Sequence, residues 1–485
     1  MIVQPDVAGP IDDVGSPPAE PGRRPWRTGA WCAAWLLAAT WLQLIRGPGH
    51  RAPDVPWAED ASVFVNQALR HSFWDNLFAQ HAGYLQVVAR LLAQPVRHLP
   101  VEWFAVWLAL SAAFVVALVS LLVWFLSGKV VQTLWARALL TALVPLLPQA
   151  GFEVNGAICD LHWHLAYAAF WVLLVPSKSL RGQIGAAAVV VLAALSDPLT
   201  ALVLPIAIVG VLRTSRRRLA LLAPAAMCAA LAVQAWVHFT QSVPFRASPT
   251  NVWDLPKIYG LRVVLSAVVG DRELTSVYVP LGLPIVVAVC VLVLAGLAVL
   301  LRVAARPARV VAVASLLASV AYLFVSVGLR GTGGVLPRES FGLGDSRYTI
   351  VPLLLLWTAV IVLLDQAAAR SDPARNARGA GTSALIGIVT AAFLGIQLLS
   401  DWTLPTVRSF GPSWSASLRS AEAVCEKPPA ERAPQPAPLV AERHGKTSAP
   451  IFPGPDDVTI VVAPEPPPGE PLLFGVVLPC SALRK

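Results

Sequence analysis

The chain has 485 residues, of which 56% are hydrophobic and 13% are charged. Soluble globular proteins carry about 25% charged residues, so this composition excludes a soluble enzyme and excludes disorder over most of the length. The net charge of +9 does not indicate nucleic-acid binding, because the positive-inside rule alone places Lys and Arg in the cytoplasmic loops of membrane proteins. We therefore expect no nucleic-acid partner.

Apolar runs long enough to cross a hydrocarbon core of about 30 Å recur along the chain. They predict an all-α polytopic membrane protein with about 11 transmembrane helices. The two shortest runs, 183–196 and 199–212, flank Pro198 and form either a hairpin or a re-entrant pair. The predicted spans are residues 29–45, 102–126, 130–148, 163–176, 183–196, 199–212, 219–239, 277–301, 308–329, 348–364 and 382–400.

Basic residues concentrate in alternate connections between these spans. This distribution predicts a cytoplasmic N-terminus in the cytoplasmic (inner) membrane, and an odd number of spans then places the C-terminus outside. Residues 1–28 are predicted to be a disordered cytoplasmic tail, 29–400 the transmembrane domain and 401–485 a Pro-rich extracytoplasmic unit. The predicted outer segments are 46–101, 149–162, 196–198, 240–276, 330–347 and the tail from residue 401.

The first outer loop, 46–101, contains two helical patterns, Asp60–Arg70 and Tyr84–Leu99. In the second pattern a polar stripe lies opposite an apolar face, which predicts a helix along the membrane surface. Pro95 should kink or end that helix. The polar stripe consists of Gln86, Arg90, Gln94 and Arg97.

Two adjacent acids, Glu59 and Asp60, precede the first of these helical patterns. A carboxylate at this position can serve as a general base or bind a metal ion. The alternative is structural: Asp60 caps the helix that follows, and Glu59 is simply solvated.

The arrangement of this region resembles that of the GT-C superfamily of membrane glycosyltransferases. One helix is followed by a long outer loop with an early acid and two surface helices, and then by a bundle of many spans. The stretches WAEDASVFVNQAL and HAGYLQVVARLLA resemble the corresponding loop in uncharacterised actinobacterial members. The resemblance implies a GT-C-like fold, a lipid-phosphate-linked sugar donor and a catalytic base at Glu59 or Asp60. Because no longer acidic signature follows, a need for a divalent cation stays open.

Further candidates follow in the second outer loop and at the turn beyond it. Asp160, His162 and His164 would form a metal site only on an extended segment, because residues two apart on a helix do not share a face. Otherwise they contact the acceptor or relay a proton, or one histidine is hydrogen-bonded and the other is packed. Asp197, next to Pro198, is either a turn residue or a charge that lines the outer cavity.

Arg347 and Tyr348 begin a span at the end of the last outer loop. The planar donor fork of arginine is suited to phosphate, so Arg347 is the first candidate for the donor phosphate, with Arg90 the second, and Tyr348 is assigned to the same site. The alternative is an ordinary snorkelling arginine. Further candidates for contact with the acceptor or the cavity are His81, Tyr84 and Arg338.

The C-terminal tail contains two short apolar runs bounded by Pro and Gly, DVTIVVAP and LLFGVVLP, which predict strands. Cys425 and Cys480 bracket this region, and disulfides persist outside the cytoplasm. We therefore predict a Cys425–Cys480 bridge, which would contribute roughly 4 kcal/mol in the chain-entropy model. The tail is predicted to be a small β-containing unit.

The leading hypothesis is an inverting transfer of a sugar from a polyprenyl-phosphate donor to an envelope glycan, lipid or protein acceptor. The reaction would take place on the outer face of the membrane, with membrane lipids around the donor chain. A transporter or flippase of a lipid-linked envelope precursor is the alternative, and it requires charges deep within the spans. A non-catalytic envelope scaffold is the third, and it predicts that Glu59, Asp60 and Arg347 do not converge.

Overall fold

The computed structural model describes residues 25–151, 153–241, 249–332, 346–370, 377–437, 453–465, 472 and 474–483. Arg338 and most of the predicted N-terminal tail lie outside the described residues. The α-helices of the described part are α1 (Pro25–Leu44), α2 (Asn66–Arg70), α3 (Phe73–Leu77), α4 (Val87–Ala93), α5 (Phe104–Ser127), α6 (Leu134–Leu146), α7 (Leu161–Leu174), α8 (Leu180–Ala194), α9 (Ile206–Leu212), α10 (Arg217–Ala220), α11 (Leu222–Gln241), α12 (Asp254–Tyr259), α13 (Ser266–Val303), α14 (Arg306–Arg330), α15 (Ile350–Arg370), α16 (Ala377–Trp402) and α17 (Trp414–Cys425). Two antiparallel hairpins accompany them, β1 (Gln80–His81) with β2 (Tyr84–Leu85) and β3 (Asp457–Val461) with β4 (Gly475–Pro479).

Long apolar helices make this a multi-pass membrane protein. Among the described residues, six helical stretches are long and apolar enough to cross a membrane: Val101–Ser127, Arg217–Thr240, Asp254–Val303, Arg306–Arg330, Arg347–Arg370 and Gly381–Cys425. Shorter apolar helices lie at Leu161–Leu174, Leu180–Ala194 and Pro198–Leu212. Each predicted span coincides with a helix, while the number of crossings stays a prediction.

The predicted outer segments meet at one end of the helical bundle, which we call the loop end. Hydrogen bonds and an ion pair join them across long sequence separations. These contacts link Val88 to Ser196, Gln149 to Ser266, Glu153 to Arg347, and Asp54 to Ser413. The structure therefore brings the predicted outer segments together, while the side of the membrane on which they lie stays a prediction.

Hydrogen bonds between helices hold the bundle together, as expected where hydrophobic burial does not drive helix association. The Tyr259 hydroxyl lies 3.0 Å from the Ser319 hydroxyl, and Ser319 also donates to the carbonyl of Pro352. Tyr167 and Thr358 form a similar pair at 2.8 Å. These contacts connect α12 to α14, α14 to α15, and α7 to α15.

The first outer loop differs from its prediction in its second half. Residues Tyr84–Leu99 do not form one surface helix: strand β2 is followed by α4, and a 3-10 turn begins at Gln94, next to Pro95. The prediction that the polar stripe faces water is wrong for Gln86 and Arg90, which are buried. Arg90 donates to Gln67 and Asn76 instead, so its part of the stripe faces the neighbouring helices.

The C-terminal tail contains the predicted strands and the predicted disulfide. β3 and β4 pair in antiparallel register, and Cys425 is bonded to Cys480 with the two Cα atoms 5.4 Å apart. The bridge joins the end of α17 to the residue that follows β4. The tail also packs against the first outer loop, so these two regions form one body.

Asp365 organises the opposite end of the bundle. It is fully buried in α15, and its carboxylate accepts hydrogen bonds from the backbone of Gln132 and from the backbone and hydroxyl of Thr133, at 2.6 to 2.8 Å. These donors lie at the start of α6, where backbone N–H groups have no partner within the helix.

We expect Asp365→Ala to lower the free energy of unfolding of the detergent-solubilised protein by about 3 kcal/mol, since buried donors then lose their acceptor. Asp365→Asn keeps one acceptor oxygen and should lose less. Thermal or denaturant unfolding of the three proteins measures this. An unchanged stability of Asp365→Ala would contradict the capping role.

Candidate active site

The two adjacent acids of the first loop have different surroundings. Asp60 is 1% exposed, and its two carboxylate oxygens accept hydrogen bonds from the backbone N–H groups of Ile158 at 2.9 Å and Cys159 at 2.8 Å. Burial raises the pKa of Asp60 to about 6, while these hydrogen bonds and the charge of Arg408 oppose the shift. Asp60 therefore anchors the second outer loop, and it makes no capping hydrogen bond to its own helix.

Glu59 is left partly exposed by a turn in the backbone just before it. Ala58 has a φ of +28°, a conformation that non-glycine residues rarely adopt and that persists only where the surroundings impose it. The N–H of Ala58 donates to the carbonyl of Ala463 at 2.6 Å. Glu59 then begins a π-helical stretch, Asp60–Val65, and single π turns are frequent at functional sites.

The charge of Glu59 acts on three other candidate residues, so they lie within electrostatic range of this acid. These are His81, Asp160 and Arg347. Burial lowers the pKa of His81 to about 4, and the charge of Glu59 acts in the opposite direction. His81 is therefore a neutral imidazole near pH 7 and can accept or donate a hydrogen bond.

Asp160 interacts electrostatically with Arg347 and with the two acids of the first loop. It is 2% exposed and accepts a hydrogen bond from the indole of Trp163 at 3.3 Å. Burial raises the pKa of Asp160 to about 6, with Arg347 opposing the shift and Glu59 and Asp60 adding to it. A buried carboxyl with a pKa near neutrality is suited to a proton relay.

The two histidines of the second loop do not form a metal site with Asp160. His162 and His164 both lie on α7, and Nδ1 of His162 is 2.7 Å from the carbonyl oxygen of Cys159. His164 is buried and packed in the bundle. In the part of the chain that the structure describes, no group of three or more His, Cys, Asp or Glu side chains is placed to hold a metal ion.

A tight hairpin presents His81 and Tyr84 side by side. The two residues pair across β1 and β2, and the turn residues Ala82 and Gly83 both have positive φ, as a two-residue hairpin turn requires. Burial raises the pKa of Tyr84 above its usual value, the charge of Asp197 adds to the shift, and the arginines of the site oppose it. The hydroxyl of Tyr84 therefore stays protonated and available as a donor.

Asp197 takes the turn role considered for it, and its second carboxylate oxygen contacts another helix. One carboxylate oxygen accepts from the N–H of Leu199 at 2.9 Å and caps the helical turn Pro198–Val203, and the other accepts from the hydroxyl of Tyr322 at 3.0 Å. Burial raises its pKa to about 6, and the charge of Arg330 opposes the shift. Asp197 is thus a fixed carboxylate next to Tyr84.

Arg347 contributes the cationic side of the site. Its guanidinium forms an ion pair with Glu153 at 3.3 Å, and its side chain is 26% exposed. The ring of Tyr348 lies beneath it, with 5.4 Å from the guanidinium carbon to the ring centroid, and the edge of Trp163 contacts that ring. Arg330, at the end of α14, adds a second positive charge that acts on His81 and Tyr84.

Arg90 differs from Arg347 in its surroundings. It is fully buried and bonded to Gln67 and Asn76, with its guanidinium carbon 5.3 Å from the centroid of the Phe64 ring. Its charge acts on His81, but the side chain braces α2, α3 and α4. These contacts favour a structural role for Arg90 over its predicted role at the donor phosphate.

Three residues near the site were not singled out from the sequence. Glu153 could have been identified from the sequence, because it is an acid in an outer loop that contains no Lys or Arg. Tyr322 stands inside an apolar span, where a buried hydroxyl needs a partner. No sequence pattern identifies Arg408, since its position close to Asp60 depends on packing of the tail against residues more than 200 positions earlier.

Comparison with known proteins gives structural likenesses of low sequence identity. No family model and no curated protein matches this chain. The mycobacterial arabinofuranosyltransferase AftD matches at 16% identity and a TM-score of 0.45, covering 86% of this chain and 30% of AftD. An oligosaccharyltransferase of Archaeoglobus fulgidus matches at 11% identity and a TM-score of 0.37, covering 81% of this chain and 55% of the other. This chain thus spans about a third and about half of their lengths.

Asp60 should give the protein a recognisable pH dependence of stability. A carboxyl group whose pKa is higher in the native state than in the unfolded chain stabilises the native state at low pH, and this contribution is lost as the pH rises through the native pKa. With a shift from 3.8 to about 6, the unfolding free energy of the wild type should fall relative to Asp60→Asn by about 2 kcal/mol between pH 4 and pH 7, because the unfolded carboxyl is already more than half ionised at pH 4. Unfolding of both proteins across this range measures the difference. Asp75→Asn, an exposed acid, is the control, and a difference that stays constant with pH would contradict the assignment.

Proposed function

We propose that this protein transfers a sugar from a polyprenyl-phosphate donor to an envelope acceptor on the outer face of the cytoplasmic membrane, with Glu59 as the catalytic base. One observation carries the proposal. Glu59 is the acid of the first loop that is partly exposed and electrostatically coupled to Arg347, His81 and Asp160. The carboxylate of its neighbour Asp60 already accepts hydrogen bonds from two backbone N–H groups.

The reaction requires a base on one side of the anomeric carbon and a cation on the other. Glu59 takes the proton of the acceptor hydroxyl as its oxygen bonds to the anomeric carbon. The bond from that carbon to the phosphate oxygen breaks, and polyprenyl phosphate leaves with the electron pair. Because attack occurs opposite the leaving group in a single step, the configuration of the sugar inverts.

Arg347 is suited to the donor phosphate. A guanidinium presents up to five donors in a planar fork, and Glu153 engages part of this fork while a quarter of the side chain stays exposed. Tyr348 supports the guanidinium from below, and Arg330 adds charge. Fixed positive charge at the leaving oxygen stabilises the transition state more than the ground state.

The acceptor side is assigned to the neutral and acidic groups around Glu59. His81, Tyr84 and Asp197 offer hydrogen-bond donors and acceptors to sugar hydroxyls, and Asp160 can pass on the proton that Glu59 receives. The acceptor is an envelope glycan, lipid or protein. The charge of Glu59 acts on Arg347, and this interaction supports the transferase over the scaffold alternative.

We expect Glu59→Gln to reduce sugar transfer by a factor of about 10² to 10⁴, the usual contribution of a general base. The assay uses the full chain in proteoliposomes, a panel of radiolabelled polyprenyl-phosphate pentoses and hexoses that includes arabinofuranose, and an envelope acceptor fraction. Release of polyprenyl phosphate and labelling of the acceptor are both measured. The control is Glu422→Gln, an exposed acid on α17.

Full activity in Glu59→Gln would contradict the role of the base. Vectorial movement of the labelled lipid across the vesicle membrane without release of polyprenyl phosphate would replace the transferase by the transporter alternative.

We expect Arg347→Ala to lower kcat/KM for the donor by about 10² or more, since a fixed donor to the developing charge is lost. Arg347→Lys should recover only part of this loss, because an ammonium cannot form the planar fork. Steady-state kinetics with varied donor measure both variants. Equal activity of Arg347→Ala and the wild type would remove Arg347 from the phosphate site.

A further inference from the structure

The C-terminal segment holds the loop that carries Glu59. We use the name C-terminal clasp for α17 and the β3–β4 hairpin, which the Cys425–Cys480 disulfide joins. The clasp and its connections contact the first outer loop on both sides of Glu59. These contacts are specific hydrogen bonds, and no part of the reaction proposed above uses them.

On the C-terminal side of Glu59, the side chain of Asn66 completes the edge of strand β4. Its amide nitrogen donates to the carbonyl of Gly475 at 2.9 Å, and its amide oxygen accepts from the N–H of Val477 at 3.0 Å. Asn66 is fully buried. One side-chain amide therefore supplies the donor and the acceptor that a neighbouring strand would supply, and a carboxylate or an alkyl group cannot.

On the N-terminal side, α17 fixes the entrance to the loop. The carboxylate of Asp54 accepts from the hydroxyl of Ser413 at 2.7 Å and from the N–H of Ser415 at 3.0 Å. The indole of Trp414 donates to the carbonyl of Val101 at 2.9 Å. The loop is thus held where it begins and where it returns to the bundle.

Between these two contacts lies the strained residue that directs Glu59. Ala58 has a φ of +28°, and its N–H donates to the carbonyl of Ala463, in the connection between β3 and β4. Trp57 also forms an isolated bridge to Ala463. A backbone conformation of this kind persists only when its surroundings impose it, and here the clasp imposes it.

We infer that the C-terminal clasp is the positioning element for Glu59, and that Asn66 is its principal positioning residue. The inference rests on the proposed function of Glu59. Without the clasp, Ala58 relaxes to negative φ and the carboxylate of Glu59 turns away from Arg347 and His81. The contacts of Arg347 with Glu153 and with the ring of Tyr348 involve no residue of the clasp, so donor binding should survive.

Two kinds of variant test this inference in the full chain. Asn66→Asp is isosteric and places an oxygen against the carbonyl of Gly475, and the double variant Cys425→Ala/Cys480→Ala opens the covalent link. The matched controls are Cys228→Ala/Cys290→Ala, which removes two free cysteines, and Gln183→Ala. Gln183 is a buried amide that donates to the carbonyl of Ser177, away from the clasp.

The first measurement is hydrogen exchange, which does not depend on activity. In both clasp variants we expect amide protection over residues 57–66 to fall at least tenfold, while peptides from α5 and α15 keep their protection. The controls should leave residues 57–66 unchanged. Unchanged protection of this stretch in the clasp variants would overturn the inference, as would a uniform loss across the whole bundle.

The second measurement separates positioning from general support. We expect kcat to fall at least tenfold in the clasp variants, with the KM for the polyprenyl-phosphate donor within twofold of the wild type. A rise in donor KM at unchanged kcat would overturn the positioning of Glu59. If residues 57–66 lose protection in the variants but the wild type transfers no sugar, the clasp is supported as the element that holds this loop and the proposed function fails.

Discussion

The hydrogen bonds from the second outer loop to the carboxylate of Asp60 are the interaction on which the rest of the loop end depends. A buried carboxylate is unfavourable unless it is fully hydrogen-bonded and compensated by charge. Ile158 and Cys159 supply the hydrogen bonds, and Arg408 supplies compensating charge from the tail. Arg408 in turn stacks over Trp57 and donates to the carbonyl of Asn155. Three segments far apart in the sequence are thereby fixed around one side chain.

This interaction also gives the two neighbouring acids, Glu59 and Asp60, different roles. Successive residues of a helix point about 100° apart, so Glu59 and Asp60 cannot face the same surroundings. Asp60 points into the protein and holds the second loop, which carries Asp160 and His162. Glu59 is left on the side of the arginines, with the strained Ala58 setting its direction. The structural acid and the proposed base are therefore parts of one arrangement.

The sequence predicts the features that local patterns determine. Apolar runs locate the helices, alternating strands with Pro and Gly at their ends locate β3 and β4, and the cysteines that bracket them locate the disulfide. The sequence could not predict that the Arg90 side chain points into the protein, because this orientation depends on its hydrogen bonds to Gln67 and Asn76 in the folded chain. The sequence also leaves Glu59 and Asp60 equivalent, since only the fold decides which acid meets a backbone donor.

The contact between Asn66 and β4 joins residues about 410 positions apart, and this separation has a consequence for biogenesis. A ribosome delivers the first outer loop to its side of the membrane long before Gly475 and Val477 emerge. Until those residues arrive and the hairpin forms, the backbone of Ala58 has no partner at Ala463. On the function proposed here, a nascent chain with all its spans inserted is still inactive. On that proposal, turnover of lipid-linked sugar begins only once the clasp has reached the first outer loop, so membrane integration and the start of catalysis are separate events.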